Sequence, residues 1–145
     1  MNRYSYDINV KKGTTFNNHL ILQKAIPKYD PSVHNNTADL QRTHAENIAY
    51  YGYTYEYIDV DSLYHHAELK IYEQLNSVYD PIFIKCSDKD NEIACTNTGI
   101  TINLNVDFIS ELCSIADSFN YSIELCIDEF NTKVEPVICG KIFLL

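Results

Sequence analysis

The segment Val137-Ile-Cys-Gly-Lys-Ile-Phe-Leu-Leu145 constrains this chain more than any other stretch, because it is apolar at nearly every position. It is far short of the ~20 residues of a membrane-spanning helix. A run that is apolar on both faces of a strand must also be covered on both. It therefore predicts a strand buried inside a sheet. Two other segments alternate with the period of half-buried strands. In the first, Tyr4, Tyr6, Ile8 and Val10 alternate with Arg3, Ser5, Asp7 and Asn9. In the second, Tyr121, Ile123, Leu125 and Ile127 alternate with Ser122, Glu124, Cys126 and Asp128. Tyr53, Tyr55 and Tyr57 alternate with Thr54, Glu56 and Ile58, which reads as a strand with one aromatic face. Ile82–Cys86, Glu92–Thr96 and Ile100–Leu104 are separated by turn-forming residues, which predicts an antiparallel meander.

Helical spacing occurs four times. Phe16, Leu20 and Lys24 form a stripe after Thr14, closed by Pro27. Thr37 can cap a second helix through Leu40, His44, Ile48 and Tyr51 to Gly52. Asp59 or Asp61 can cap the longest, through Leu63, Ala67, Ile71, Leu75 and Val78, before Pro81. Asn105 can cap a fourth, with Phe108, Ile109, Leu112, Ala116 and Phe119 along its stripe. Residues 27–37 read as a loop. No repeat, linker or low-complexity tract intervenes, so one domain over 1–145 is expected. The fold class is α+β, with a largely antiparallel sheet of about five to seven strands and about three or four helices packed on it.

Twenty acids against eleven bases give a net charge of −9. The excess is concentrated: residues 80–145 hold eleven acids and four bases, a net of −7. Phosphate-rich ligands need basic groups to replace their counterions, so neither nucleic acid nor an anionic membrane is expected as a partner. A basic protein is compatible, since an acidic face raises its encounter rate. No apolar leader opens the sequence, which makes the cytoplasm the expected compartment.

Motifs for chemistry are scarce. Asp88, Asp90 and Glu92 begin as a calcium loop does. Ile93 then stands at the sixth position, where the sharp turn needs glycine, and Gly99 at the twelfth, where a bidentate glutamate belongs. On a helix, His65 and His66 would point about 100° apart, and His65 with Glu68 alone would leave zinc short of ligands. The four glycines build no phosphate loop, and no nucleophile elbow occurs. No catalytic residue, cofactor or metal is therefore expected. Twelve tyrosines and no tryptophan stand out instead, six of them between Tyr50 and Tyr64. Tyrosine offers a large contact area with two torsions to freeze, which suits an interface.

Together these features predict a small acidic protein that binds and inhibits a basic partner, as an immunity protein masks a nuclease-type toxin by occluding its active site. The expected contact residues are Asp88, Asp90, Glu92, Asp128, Glu129, Tyr53, Tyr55 and Tyr57. A small enzyme with a tertiary-assembled site and a structural or assembly subunit are the alternatives. The five cysteines, at 86, 95, 113, 126 and 139, form no Cys-x-x-Cys pair and should all be reduced. Denatured protein that has seen no reductant should therefore take up five alkyl groups by mass spectrometry. A pair that reacts only after reduction would contradict this.

Overall fold

The computed structural model describes residues 4–73, 80–130 and 132–145, and for 133–137 only the backbone. In chain order the elements are β1 (Tyr4–Ser5), β2 (Ile8–Val10), β3 (Phe16–Ile21), β4 (Gln23–Pro27), α1 (Thr37–Gln41), α2 (His44–Tyr51), β5 (Tyr53–Tyr57) and α3 (Val60–Leu63). They continue with β6 (His66–Glu73), β7 (Phe83–Cys86), β8 (Ile93–Cys95), β9 (Gly99–Leu104), α4 (Val106–Cys113), β10 (Ser118–Cys126) and β11 (Lys133–Leu144). The α+β class holds, and most strand pairs are antiparallel, but the strands form three sheets rather than one. Among the described residues no helix is long and apolar enough to cross a membrane.

The largest sheet runs β1-β11-β10-β6-β7, with β2 also on β11. The apolar segment forms the end of β11 and pairs antiparallel with β10, but only one of its faces is covered: Ile138, Ile142 and Leu144 are buried, whereas Cys139 and Phe143 are half-buried and Lys141 and Leu145 exposed. Phe119, Tyr121, Ile123 and Leu125 of β10 share the buried face with Ala67, Leu69 and Ile71 of β6. The second sheet, β3-β9-β8, adds Ile93, Ile100, Ile102 and Leu104 to the same hydrophobic cluster, and α4 adds Phe108, Ile109 and Leu112. Asn105 caps α4 by accepting from the Phe108 amide at 2.8 Å, as its sequence position predicts.

The first strand is interrupted rather than continuous. β1 and β2 both run parallel to β11. Between them Asp7 Oδ1 accepts the Lys141 amide at 2.9 Å, a side chain standing in for the ladder. Gly140 is what lets this crossing approach: a Cβ there would lie 2.0 Å from the Tyr6 carbonyl oxygen.

Several helical expectations are corrected. Residues 16–27 form β3 and β4, with Phe16, Asn18 and Leu20 half-buried and alternating with exposed neighbours. The predicted long helix shrinks to α3, and Ala67 and Ile71 belong to β6. Both departures share one cause: residues spaced by four lie on one face under period 2 as well as under period 3.6. Arg3, Leu75 and Val78 lie outside the described residues. The helix expected over 37–51 is two helices, split at Arg42–Thr43, each opening with a reciprocal capping box from Asn36 and Thr43. The fourth helix ends at Cys113, and Phe119 sits in β10. β7 pairs with β6 rather than β8, so only β8–β9 of the expected meander is a hairpin.

Gly140→Ala should lower stability by about 2–4 kcal/mol, since the clashing atom is backbone and cannot rotate away. Urea unfolding checks this. An unchanged midpoint would show that the crossing of Tyr6 over β11 is loose.

Candidate functional site

Two regions gather polar or aromatic groups that the hydrophobic core does not explain. The first is an arm formed by residues 23–57. Among the described residues between Leu22 and Ile58 no apolar side chain is buried, and Asp39 and Asn47 are the only buried side chains of any kind. The arm starts as a two-stranded ribbon in which Gln23, Ala25 and Pro27 of β4 face Tyr57, Tyr55 and Tyr53 of β5. These partners are too small to cover the rings. The tyrosines are accordingly 58%, 64% and 43% exposed. Where the ribbon meets the body, Tyr55, Ala25 and Gln23 join Tyr4 and Ile21 in a shallow cleft of about 290 Å³. The Tyr4 hydroxyl donates to the Gln23 carbonyl at 2.8 Å and fixes the ribbon's approach.

The tip of the arm is held by a polar cluster. Asp39 accepts from Tyr51 Oη at 2.6 Å, from Arg42 Nη2 at 2.5 Å and from the Asn36 amide at 3.3 Å. Asn47 Nδ2 donates to the Asp39 carbonyl at 2.9 Å, and Arg42 Nε to Asn47 Oδ1 at 2.7 Å. His34 stacks on Tyr51 at 3.9 Å between ring centroids, and Arg42 lies 3.9 Å over Tyr50. The Tyr51 hydroxyl holds the Asp39 carboxyl below the usual carboxylate range, aided by the Asn36 amide and Arg42.

The second region is the start of β6. His65 lies just before the strand, and His66 opens it opposite Cys126 of β10. Glu68 is opposite Cys86 of β7. Residues 66, 68 and 70 occupy the face opposite the hydrophobic cluster, and His66 and Glu68 are buried there. The two imidazoles lie edge to face, with Nδ1 of His65 2.7 Å from Nδ1 of His66. Ligand-capable atoms of His66, Glu68 and Cys86 all fall within 4.8 Å of one another, as do those of His65, His66 and Asp88. Burial, and then the Glu68 carboxylate, push the Cys86 thiol above its ordinary value. A thiol kept protonated in this way is a poor nucleophile.

The acids expected as contacts divide between these surroundings. Asp88 and Glu129 are exposed. Asp90 is half-buried and accepts the Cys86 amide at 2.8 Å, and Glu92 pairs with Lys85 at 3.5 Å. Asp128 accepts the amides of Phe130 and Thr132, each at 3.0 Å. The Thr132 amide is the main cause of its lowered pKa, and His65 adds to the shift. Asp88 thus meets the His65–His66 pair, while Asp128 is held by its own turn.

The cluster of His65, His66, Glu68, Cys86 and Asp88 escapes a sequence reading that makes 59–80 a helix. The alternation of His66, Glu68 and Lys70 with Ala67, Leu69 and Ile71 is the signal that would have found it. No protein-family model matches the chain, and no curated protein matches its sequence.

The folded Asp39 pKa lies below its unfolded value of about 3.9. Its contribution is therefore present at neutral pH and lost as the pH falls through the folded value. Below about pH 4 the α1–α2 amides should lose hydrogen-exchange protection before those of β10 do. Asp39→Ala should cut α2 protection by about tenfold or more at neutral pH. Simultaneous loss in both regions would contradict this.

Proposed function

We propose that the protein is a protein-binding inhibitor whose partner is basic, and that the tyrosine face of the β4–β5 ribbon is its anchor surface. The observation that carries this reading is the exposure of β5: three tyrosines aligned on one face, each roughly half exposed, opposed by proline, alanine and glutamine. Rings that are not needed for folding are available to fill pockets in a partner, where Tyr is among the residues that dominate binding energy.

The charge favours a basic partner. Residues 22–58 hold four acids and three bases, so the arm itself is nearly neutral, and the −7 of residues 80–145 belongs to the body. In this division of labour the ribbon supplies short-range contact and the body supplies long-range attraction. Asp88 and Glu129 carry the steering, being exposed, with Asp128 beside them. Asp90 and Glu92 contribute field rather than contact, since each is engaged within its own turn. Inhibition is steric and electrostatic occlusion of a basic groove, such as one that binds phosphates in a nuclease.

The test uses the protein captured from the native host and identified by mass spectrometry. Tyr53, Tyr55 and Tyr57 changed together to serine should weaken its binding more than tenfold, about 1.4 kcal/mol, mostly through faster dissociation. Asp88→Lys with Glu129→Lys should slow association and flatten its salt dependence, with little change in the melt. A partner bound equally well by both variants would defeat the proposal.

A further inference from the structure

We propose that His66, Glu68 and Cys86, with His65 and Asp88 on the solvent side, bind one divalent transition ion of the zinc class. The donors argue for the ion. Imidazole nitrogen, thiolate sulfur and carboxylate oxygen together are the set that zinc takes, whereas calcium and magnesium demand oxygen throughout.

Position is the second argument. Three of the five residues come from paired strands: His66 and Glu68 from β6, which is paired on both edges with β10 and β7, and Cys86 from the edge strand β7, where it is the direct cross-strand partner of Glu68. The turn that carries Asp88 is pinned by the Ser87 amide on the Ala67 carbonyl at 2.9 Å and by the Ala67 amide on Ser87 Oγ at 2.8 Å. The Cys86 amide is held by Asp90, so this carboxylate orients a ligand residue instead of facing a partner protein. Zinc bonds of ~2.0–2.3 Å put neighbouring donors ~3.3–3.8 Å apart. Within each of the two triads that share His66, atoms already within 4.8 Å of one another need a closure of about 1 Å at most, and the paired imidazole nitrogens a small opening.

The histidine pair is the third argument. Two Nδ1 atoms 2.7 Å apart have to share a hydrogen, because two lone pairs facing each other at that distance repel. A metal ion can replace that hydrogen once the two nitrogens open from 2.7 Å to the ~3.3 Å that two zinc–nitrogen bonds require. Binding then releases the thiol proton of Cys86, while the hydrogen between the imidazoles moves to an Nε2 so that both rings ligate as neutral bases, and the ion's charge compensates the carboxylate and the thiolate.

The experiment titrates the full chain, stripped of metal, with zinc chloride and with cobalt chloride, using calcium and magnesium chloride as controls. The expected result is one-to-one binding of zinc and cobalt, none of calcium or magnesium in the same range, and proton release on binding. The cobalt complex should show thiolate charge-transfer absorption. Zinc should protect Cys86, but not the half-buried Cys113, from alkylation, as read from the modified peptides. Cys86→Ser should abolish the absorption and weaken zinc binding at least about 100-fold, and His65→Ala, an exposed position, at least about tenfold. If Cys86→Ser fails to fold, the absorption and the alkylation pattern of the unaltered chain decide. The proposal is overturned by failure to bind at one-to-one stoichiometry, by Cys86 reacting as fast with zinc as without it, or by zinc binding that both variants retain.

Discussion

The antiparallel pairing of β10 with β11 is the constraint on which the rest of the body depends. β11 is a centre of attachment, taking β10 on one edge and both β1 and β2 on the other. β10 passes the order on to β6, and β6 to β7. A strand paired on both edges has no free ladder groups to satisfy, and its inner side chains become the floor of the core. Because side chains alternate, fixing Phe119, Tyr121, Ile123 and Leu125 inward also fixes which residues point the other way. That second face is where His66 and Glu68 lie. The cluster is thus a consequence of the core's register, and a slip of one residue would bury it in the hydrophobic cluster.

The strands with clean alternation were legible in the sequence, because period 2 over four or more residues fits little besides a strand; the segment after Val137 was legible as a strand, but not that only its Ile138, Ile142 and Leu144 face is buried. The helix at Asn105 was legible through its cap. What was not legible follows from the spacing of four shared by Phe16, Leu20 and Lys24 and by Leu63, Ala67 and Ile71. Such a stripe fits a helix or a strand, and tertiary pairing decides between them. The pairing partners of these strand residues, β9 for Phe16 and Leu20, β5 for Lys24 and β10 for Ala67 and Ile71, lie tens of residues away. The candidate site inherits the same gap: Asp88 was visible as a charge, but its meeting with His65 and His66 depends on β6 being a strand. The tyrosines at 53, 55 and 57 were visible as a face, whereas their exposure depends on Ala25 and Pro27 standing opposite.

The arm and the body are stabilised differently. The body buries mostly apolar side chains, with His66 and Glu68 buried on the opposite face of its sheet. The arm buries a carboxylate and an amide, held by Arg42 and Tyr51, and keeps its rings at the surface. Buried polar clusters fix one geometry while adding little net stability, which suits an element whose task is to hold an orientation. Among the described residues the arm supplies nothing to the hydrophobic cluster. Its geometry is therefore free to serve recognition, while the body sets the long-range field and carries the metal-ligating groups.

Removal of the arm's tip tests this division most directly. Pro27 and Tyr53 are cross-strand partners, and the Lys28 amide bonds the Gly52 carbonyl at 3.0 Å, so an Asn-Gly turn can replace residues 28–52 and close the ribbon. The shortened chain should unfold cooperatively in urea with a midpoint close to that of the full chain, because no buried aliphatic contact has been removed. Loss of the cooperative transition would show that the body depends on the arm for its folding, and would contradict the account.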